Sequence, residues 1–379
     1  MYYLTFGDAP SGVLSSQAID VCRYLSNDAG VRIKMVFFIS LRQFKTNRKK
    51  LKSEYADSIV LPMLPKIDSW RWNALTLFII LLFGKKQSMI ARGVLATQLA
   101  LMMRKAGLIK KVGYDGRGAY AAEWHEYDVM PSISMKNKIA QLENEAVSKS
   151  DFRIAVSQKL VEYWSEQFNY RQQQHVIIPC LLNSNFSDNI ASPELLKQQR
   201  QKSGYNENDI VFIYSGSTAG WQSFGLLTEL LEPLLKASER VKVLFMSSAD
   251  DRIQQLINSY PQQVQRRLVN HNEVTAMLQS GDYGIMIREQ TITNKVAAPT
   301  KFAEYLSAGL QVLVSDNLGD YSGFIMQHHC GMIASADPIS VLLNPISYDT
   351  RQRNYELARQ YFTKQAHHHD YFKLINALQ

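Results

Sequence analysis

Lys301, Glu304 and Tyr305 are spaced three and four residues apart, so on a helix they share one face. Their segment opens with Pro299, suited to a helix start, and closes with Gly309, suited to the left-handed residue beyond a helix end. Phe302 and Leu306 take another face and point into a core. A cation and a carboxylate on the first turns of a helix suit a phosphate-bearing ligand. They equally make an ordinary surface ion pair. With Arg288 just upstream, two cations can neutralise a diphosphate, Arg288 as a bidentate fork and Lys301 as a point charge. Glu304 can accept two hydroxyl hydrogen bonds from a ribose diol. Gly216 lets backbone N–H groups approach a phosphate. Asp115 and Arg117, in Asp115-Gly116-Arg117-Gly118, can orient an acceptor or a sugar, or close a turn on themselves. Glu123 and His125 follow and are candidates to reach the same site or to serve the structure.

The elements that must hold these residues are short apolar runs. They read as strands near 2–6, 33–39, 58–62, 88–91, 110–114, 151–157 and 176–179, then 210–214, 241–246, 267–269, 283–287 and 312–314. Helical stretches separate them, the first over 13–25, as parallel sheets require. A chain of 379 residues exceeds the ~250–300 at which one core stops growing. The expectation is an α/β protein of two Rossmann-like domains facing a central cleft. Their bounds are 1–185 and 186–350, with a polar connection over 182–207 and a helical tail, 351–379, packing back toward the first domain. Ligands of open α/β sheets bind beyond the carboxyl ends of strands. The polar residues gather at such ends: the loop 7–12 with Gly12, Arg92 and the Asp115 turn in one half; Gly216, Ser217, Arg288, Glu289, Thr300, Lys301 and Glu304 in the other. No G-x-G-x-x-G, Walker A or G-x-S-x-G pattern is present.

The net charge is +8, and Arg42, Lys45, Arg48, Lys49, Lys50 and Lys52 lie together with no acid among them. That suits nucleic acid, anionic lipid or a phosphorylated substrate. Zinc-finger, RNA-binding and recognition-helix patterns are missing, so nucleic acid is not the expected partner. The apolar run 74–83 follows Trp70 and Trp72 and precedes Lys85 and Lys86. It is well short of the ~20 residues that span a bilayer and reads as a helix lying on a membrane surface or as a core helix. Three scattered cysteines suggest a reducing compartment without disulfides or a zinc cluster. The first residues do not read as a signal peptide. His367, His368 and His369 are consecutive and cannot converge on one metal, so no metal site is expected.

Residues 299–315 resemble the Pro-x-Lys-x-x-Glu-Tyr-Leu-Ala-x-Gly-x-Pro-Val signature of the GT-B glycosyltransferases, in particular retaining family 4. Residues 212–217 resemble the strand and Gly turn that open that family's nucleotide-sugar domain, and 358–363 its closing helix. In the first half, 151–157 and 176–179 resemble its strand entering a Ser-capped helix and its strand before the linker. The resemblance implies a nucleotide-sugar donor in the second domain, bound by Gly12, Gly216, Ser217, Arg288, Glu289, Thr300, Lys301 and Glu304, and an acceptor in the first, with Asp115, Arg117 and Glu123 as catalytic candidates. It implies retention, no cofactor beyond the co-substrate and no metal in the chemistry. The variant resembles capsule and O-antigen enzymes, whose acceptors are glycans or polyprenyl-linked. Lys49, Lys50, Trp70 and Trp72 would then meet an anionic surface, placing the protein in the cytoplasm, peripheral on the inner face of the cell membrane. A nucleotide-sugar epimerase or an inactive sugar- or lipid-binding module are the alternatives. The sequence departs from the family at Val296, where many members have Glu, and at Ser217 and Trp221-Gln222, where many have Arg and Lys.

Overall fold

A computed structural model describes all residues except 29, 65–66, 131, 185–189, 271–272 and 335–343. The chain forms two compact units: Met1–Ser184 with Lys364–Gln379, and Asn185–Thr363.

In the first unit, seven strands are ordered β3-β2-β1-β4-β5-β6-β7. They are β1 (Tyr2–Phe6), β2 (Lys34–Ser40), β3 (Ile59–Met63), β4 (Gln87–Arg92), β5 (Ile109–Gly116), β6 (Phe152–Ala155) and β7 (His175–Ile177). Every pairing is parallel. Residues such as Leu4, Val36 and Phe37 on adjoining strands are buried, because parallel strands are covered on both faces. One face carries α1 (Asp20–Asn27) and α2 (Phe44–Glu54), and α3 (Asn73–Leu82) packs on α4 (Val94–Lys105). The strand order runs one way from β1 to β3 and reverses to β4, so right-handed crossovers set α2 and α3 on opposite faces. Leu51 of α2 accordingly joins the core of Tyr3, Ile19 and Phe37, a cluster to which α3 contributes nothing. α5 (Tyr120–Glu126), α6 (Ile133–Lys149) and α7 (Gln158–Phe168) complete the connections between strands.

The helix expected over 13–25 is interrupted. It starts at Gly12, passes through a π turn at Ser15–Ile19 and resumes as α1. The wider turn lets Gln17 and Asp20 both face inward, at 3% and 4% exposure.

The second unit has strands β8 (Ile210–Ser215), β9 (Val241–Met246), β10 (Val264–Arg266), β11 (Tyr283–Met286), β12 (Gln311–Ser315) and β13 (Gly331–Ala334), ordered β10-β9-β8-β11-β12-β13 and parallel. The strand expected at 267–269 lies three residues earlier, and Leu268 is 79% exposed. β13 was not anticipated. The segment 182–207, read as connection, contains α8 (Pro193–Lys202), capped by the Ser192 hydroxyl. Arg200 of α8 and Arg351 both pair with the fully buried Asp282, at 3.1 and 2.9 Å. α9 (Phe224–Ala237) packs on the Phe212 face, and α10 (Thr300–Ser307) sits between β11 and β12. Of the tail, α11 (Tyr348–Tyr361) counts with the second unit, and α12 (His368–Leu378) with the first.

Candidate active site

Each sheet reverses its strand order once, at β1/β4 and at β8/β11. A crevice opens beyond the carboxyl ends of strands at such a reversal.

At the second unit's reversal, the backbone of the strand ends is tied together by side chains. The Ser215 N–H donates to the Tyr305 hydroxyl (2.8 Å), which donates to the Ile285 carbonyl (3.4 Å). Tyr305 of α10 thus bridges the ends of β8 and β11. Gly284 makes this possible: a Cβ there would lie 2.3 Å from the Tyr305 ring. The Arg288 N–H donates to Ser315 Oγ (2.6 Å), and its guanidinium reaches Gln222 Oε1 (3.2 Å) and Asn294 Oδ1 (3.4 Å). The Glu289 N–H donates to Ser223 Oγ (2.9 Å), leaving its side chain exposed. Gly216 and Ser217 follow β8, with the Ser217 carbonyl accepting from Tyr214 (2.5 Å). Thr300 is the first residue of α10, after Pro299 as its cap. One turn on, Lys301 Nζ donates to Glu304 Oε2 at 2.5 Å, both side chains about a third exposed (29% and 34%). These two are therefore each other's partners here. A ligand that takes either must exchange that pairing for its own. Val296 is buried at 3% exposure and its side chain is apolar.

At the first unit's reversal, Asp115 is the hub rather than an open group. It is 2% exposed, and its carboxylate accepts from the Tyr3 hydroxyl (2.6 Å), Arg92 (3.4 Å) and Arg117 (3.4 Å). Arg117 also reaches Gln17 Oε1 (3.4 Å) and Cys180 Sγ (3.0 Å). Burial opposes the Arg92 charge, but Asp115, Tyr3, Asp8 and Tyr120 together outweigh it and raise the guanidinium's pKa. Asp8, on the loop after β1, has its carboxyl pKa raised by burial, with Arg92 pulling it back down. Glu123 on α5 is partly buried, and burial raises its carboxyl as well. His125 is exposed, with its ring against the Ala121 carbonyl (2.7 Å). Gly12 is exposed at the start of the interrupted helix.

Sequence reasoning placed Arg92 and the loop 7–12 at this edge but did not single out Asp8 or Tyr120. Asp8, Arg92 and Tyr120 converge only because β1, β4 and α5 meet at the reversal. Gly93, at φ +77°, leaves the space that the Tyr120 hydroxyl occupies. It also missed Glu143, a fully buried carboxylate of α6 that accepts the Tyr120 and Ala121 N–H groups (3.1 and 2.8 Å). Glu143 caps α5 from another helix, and so fixes where Glu123 stands.

The four surface residues are not brought together. Lys49 and Lys50 lie exposed on α2, while Trp70 and Trp72 precede α3 on the opposite face of the sheet. Trp70 is buried at 4% exposure and Trp72 is 71% exposed, because residues two apart on a three-residue turn point to different sides.

No family model matches the chain, and neither does any curated protein sequence. Solved structures do. A glycosyltransferase from Rickettsia africae superposes with a TM-score of 0.71 at 16% identity, covering 100% of this chain and 98% of that one. Anabaena HepE, solved with UDP and glucose, gives 0.71 at 14% identity over 100% of both chains. The lipopolysaccharide outer core galactosyltransferase WaaB gives 0.67 at 14% identity, covering 100% and 99%. A UDP-N-acetylglucosamine 2-epimerase is more distant, at 0.51 and 12% identity, covering 100% and 90%. The chain has the two-domain α/β fold of these proteins, the GT-B fold.

Proposed function

We propose that this protein is a hexosyltransferase that moves a sugar from a nucleotide-sugar to a surface-polysaccharide or lipid-linked oligosaccharide acceptor, with retention and with no metal in the chemical step. The observation that carries the reading is the second unit's strand reversal. There the Gly216 turn, the buried Arg288 and the Lys301/Glu304 face of α10 are locked to one sheet edge through Tyr305 and Ser315. Such an edge offers backbone N–H groups and two cations to a diphosphate, and one carboxylate to a ribose. Gly12, Gly216, Ser217, Arg288, Glu289, Thr300, Lys301 and Glu304 are the proposed donor contacts. On the first unit, Asp115 positions Arg92 and Arg117, and Glu123 is the proposed proton-handling group. Rate enhancement then comes from positioning and leaving-group stabilisation. HepE, solved with UDP and glucose on the same fold, supports the donor class.

The test begins with a nucleotide-sugar panel screened by thermal shift, since a donor that binds only the native state raises its apparent stability. With that donor, Glu304→Ala and Lys301→Ala should each lower sugar transfer by ~10²-fold or more, the scale of losing one charge-stabilising contact. Near-wild-type transfer in both would overturn the donor assignment. Isomerised sugar-nucleotide formed without acceptor would favour the epimerase, and tight binding with no transfer to any acceptor would favour an inactive binding module.

A further inference from the structure

The outer face of α3 is an apolar stripe that no described residue covers. Trp72, Leu75, Ile79, Leu82 and Phe83 fall on one side of the helix and are 71%, 60%, 50%, 53% and 86% exposed. The inner side, Ala74, Leu77 and Leu81, is buried, so the helix already has its share of the core and the stripe is surplus to it. Isolated exposed apolar residues are ordinary, but a contiguous run of large ones marks a contact surface.

The charge around the stripe selects the partner. Between Asp68 and Asp115 the sequence carries no acid, and of its Lys and Arg, Arg71, Lys85, Lys86 and Lys110 stand at the stripe or its hollow. Arg71 stands at the start of the stripe, and Lys85 and Lys86 at its end, all exposed. The end of α3 opens on a hollow of about 720 Å³ at the amino edge of the sheet, lined by Arg32, Lys34, Lys85 and Lys110, with Asp57 paired to Arg32 at 3.1 Å. α3 has ten residues, and among the described residues no helix is long and apolar enough to cross a membrane.

We infer that α3 docks this protein on an anionic phospholipid bilayer, the stripe entering the acyl boundary and the Lys85 hollow receiving headgroup phosphates. A helix with large apolar residues along one side and cations at its ends lies in the interface in this way. The docking face is distinct from the basic helix α2, which faces the other side of the sheet. It is also distinct from the strand-end cluster around Asp115, because the hollow lies at the opposite edge of the same sheet.

Flotation of the full chain with phosphatidylglycerol/phosphatidylcholine vesicles tests this, with phosphatidylcholine alone as the comparison. The wild type should float with the anionic vesicles and progressively less as salt rises. Ile79→Ser with Phe83→Ser should reduce partitioning by on the order of tenfold or more, and Lys85→Glu with Lys86→Glu should remove the preference for anionic lipid. Both pairs are exposed, so circular dichroism and melting should match wild type. Lys49→Glu with Lys50→Glu should float normally. Failure of the wild type to float would overturn the inference. So would loss of flotation in the Lys49/Lys50 variant alone, or a concentration-dependent dimer that the Phe83 change dissolves without any vesicle binding.

Discussion

Glu143 shows how a single buried side chain can carry a pH dependence for a whole turn. Burial pushes its carboxyl up to about 8, with the Ala121 and Tyr120 N–H groups pulling the other way, against 4.5 for the unburied group. Between those values the native protein holds a proton that the unfolded chain has released. Stability from this group is therefore complete below about 4.5 and falls as the pH rises toward about 8. The slope cannot exceed about 1.4 kcal/mol per pH unit, the value of one proton. Glu143→Gln should flatten the dependence of urea midpoint on pH across that window while weakening the α5 cap, and an unchanged slope would assign the proton elsewhere. Residue types alone separated Lys301 and Glu304 from the background, because their spacing is local and their helix signals lie within ten residues. They could not do the same for Asp115. Its partners Tyr3 and Arg92 are 112 and 23 residues away, and only the sheet brings them to it. The turn ion pair with Arg117, one of the two roles read for Asp115, is present at 3.4 Å, but the carboxylate is also a hub under Arg92 and the Tyr3 phenol.

At the level of elements, the link between α10 and the sheet rests on Gly284. The Tyr305 ring fills the space over it, and the hydroxyl reaches both neighbouring strands. Gly284→Ala should displace the ring, cost about 1–3 kcal/mol by overpacking, and weaken donor binding along with stability. Chemical denaturation and nucleotide titration would report the two effects, and an unperturbed melting curve would contradict the role given to Tyr305. Most strands were legible because buried parallel strands are continuous apolar runs, as in 210–214 and 241–246. β13 was not, since Gly331-Met332-Ile333-Ala334 is short and its residues are only half-buried. Leu268 drew the β10 reading off register because a lone apolar residue in solvent looks like a core residue in sequence. The placing of α2 and α3 on opposite faces was not legible either. It follows from where the strand order reverses, which no local pattern encodes.

For the molecule as a whole, the chain leaves the first unit after Ser184 and re-enters at Lys364. A single buried carboxylate holds both passages. Asp20, turned inward by the π turn, accepts Lys364 Nζ (2.5 Å) and both the N–H and hydroxyl of Ser184 (2.8 and 2.9 Å). Lys364 in turn donates to the Leu182 carbonyl (2.7 Å), and burial lowers its pKa. Removing one partner strands the other charge, so Lys364→Met should cost about 3–5 kcal/mol. Asp20→Asn with Lys364→Met should recover part of it, and additive losses in that double-mutant cycle would deny the pairing. Past Lys364, α12 supplies Tyr371, Leu374, Ile375 and Leu378 to the same core as Tyr3 and Phe37. This gives biosynthesis a definite order. On the ribosome, residues 1–184 emerge first but lack a wall of their own core until α12 has been made. The second unit, contiguous from Asn185 to Thr363, has every piece it needs earlier. The part of the chain translated first is thus the part that finishes folding last, and its β5, β6 and β7 must wait for the cover of α12 through nearly two hundred further residues.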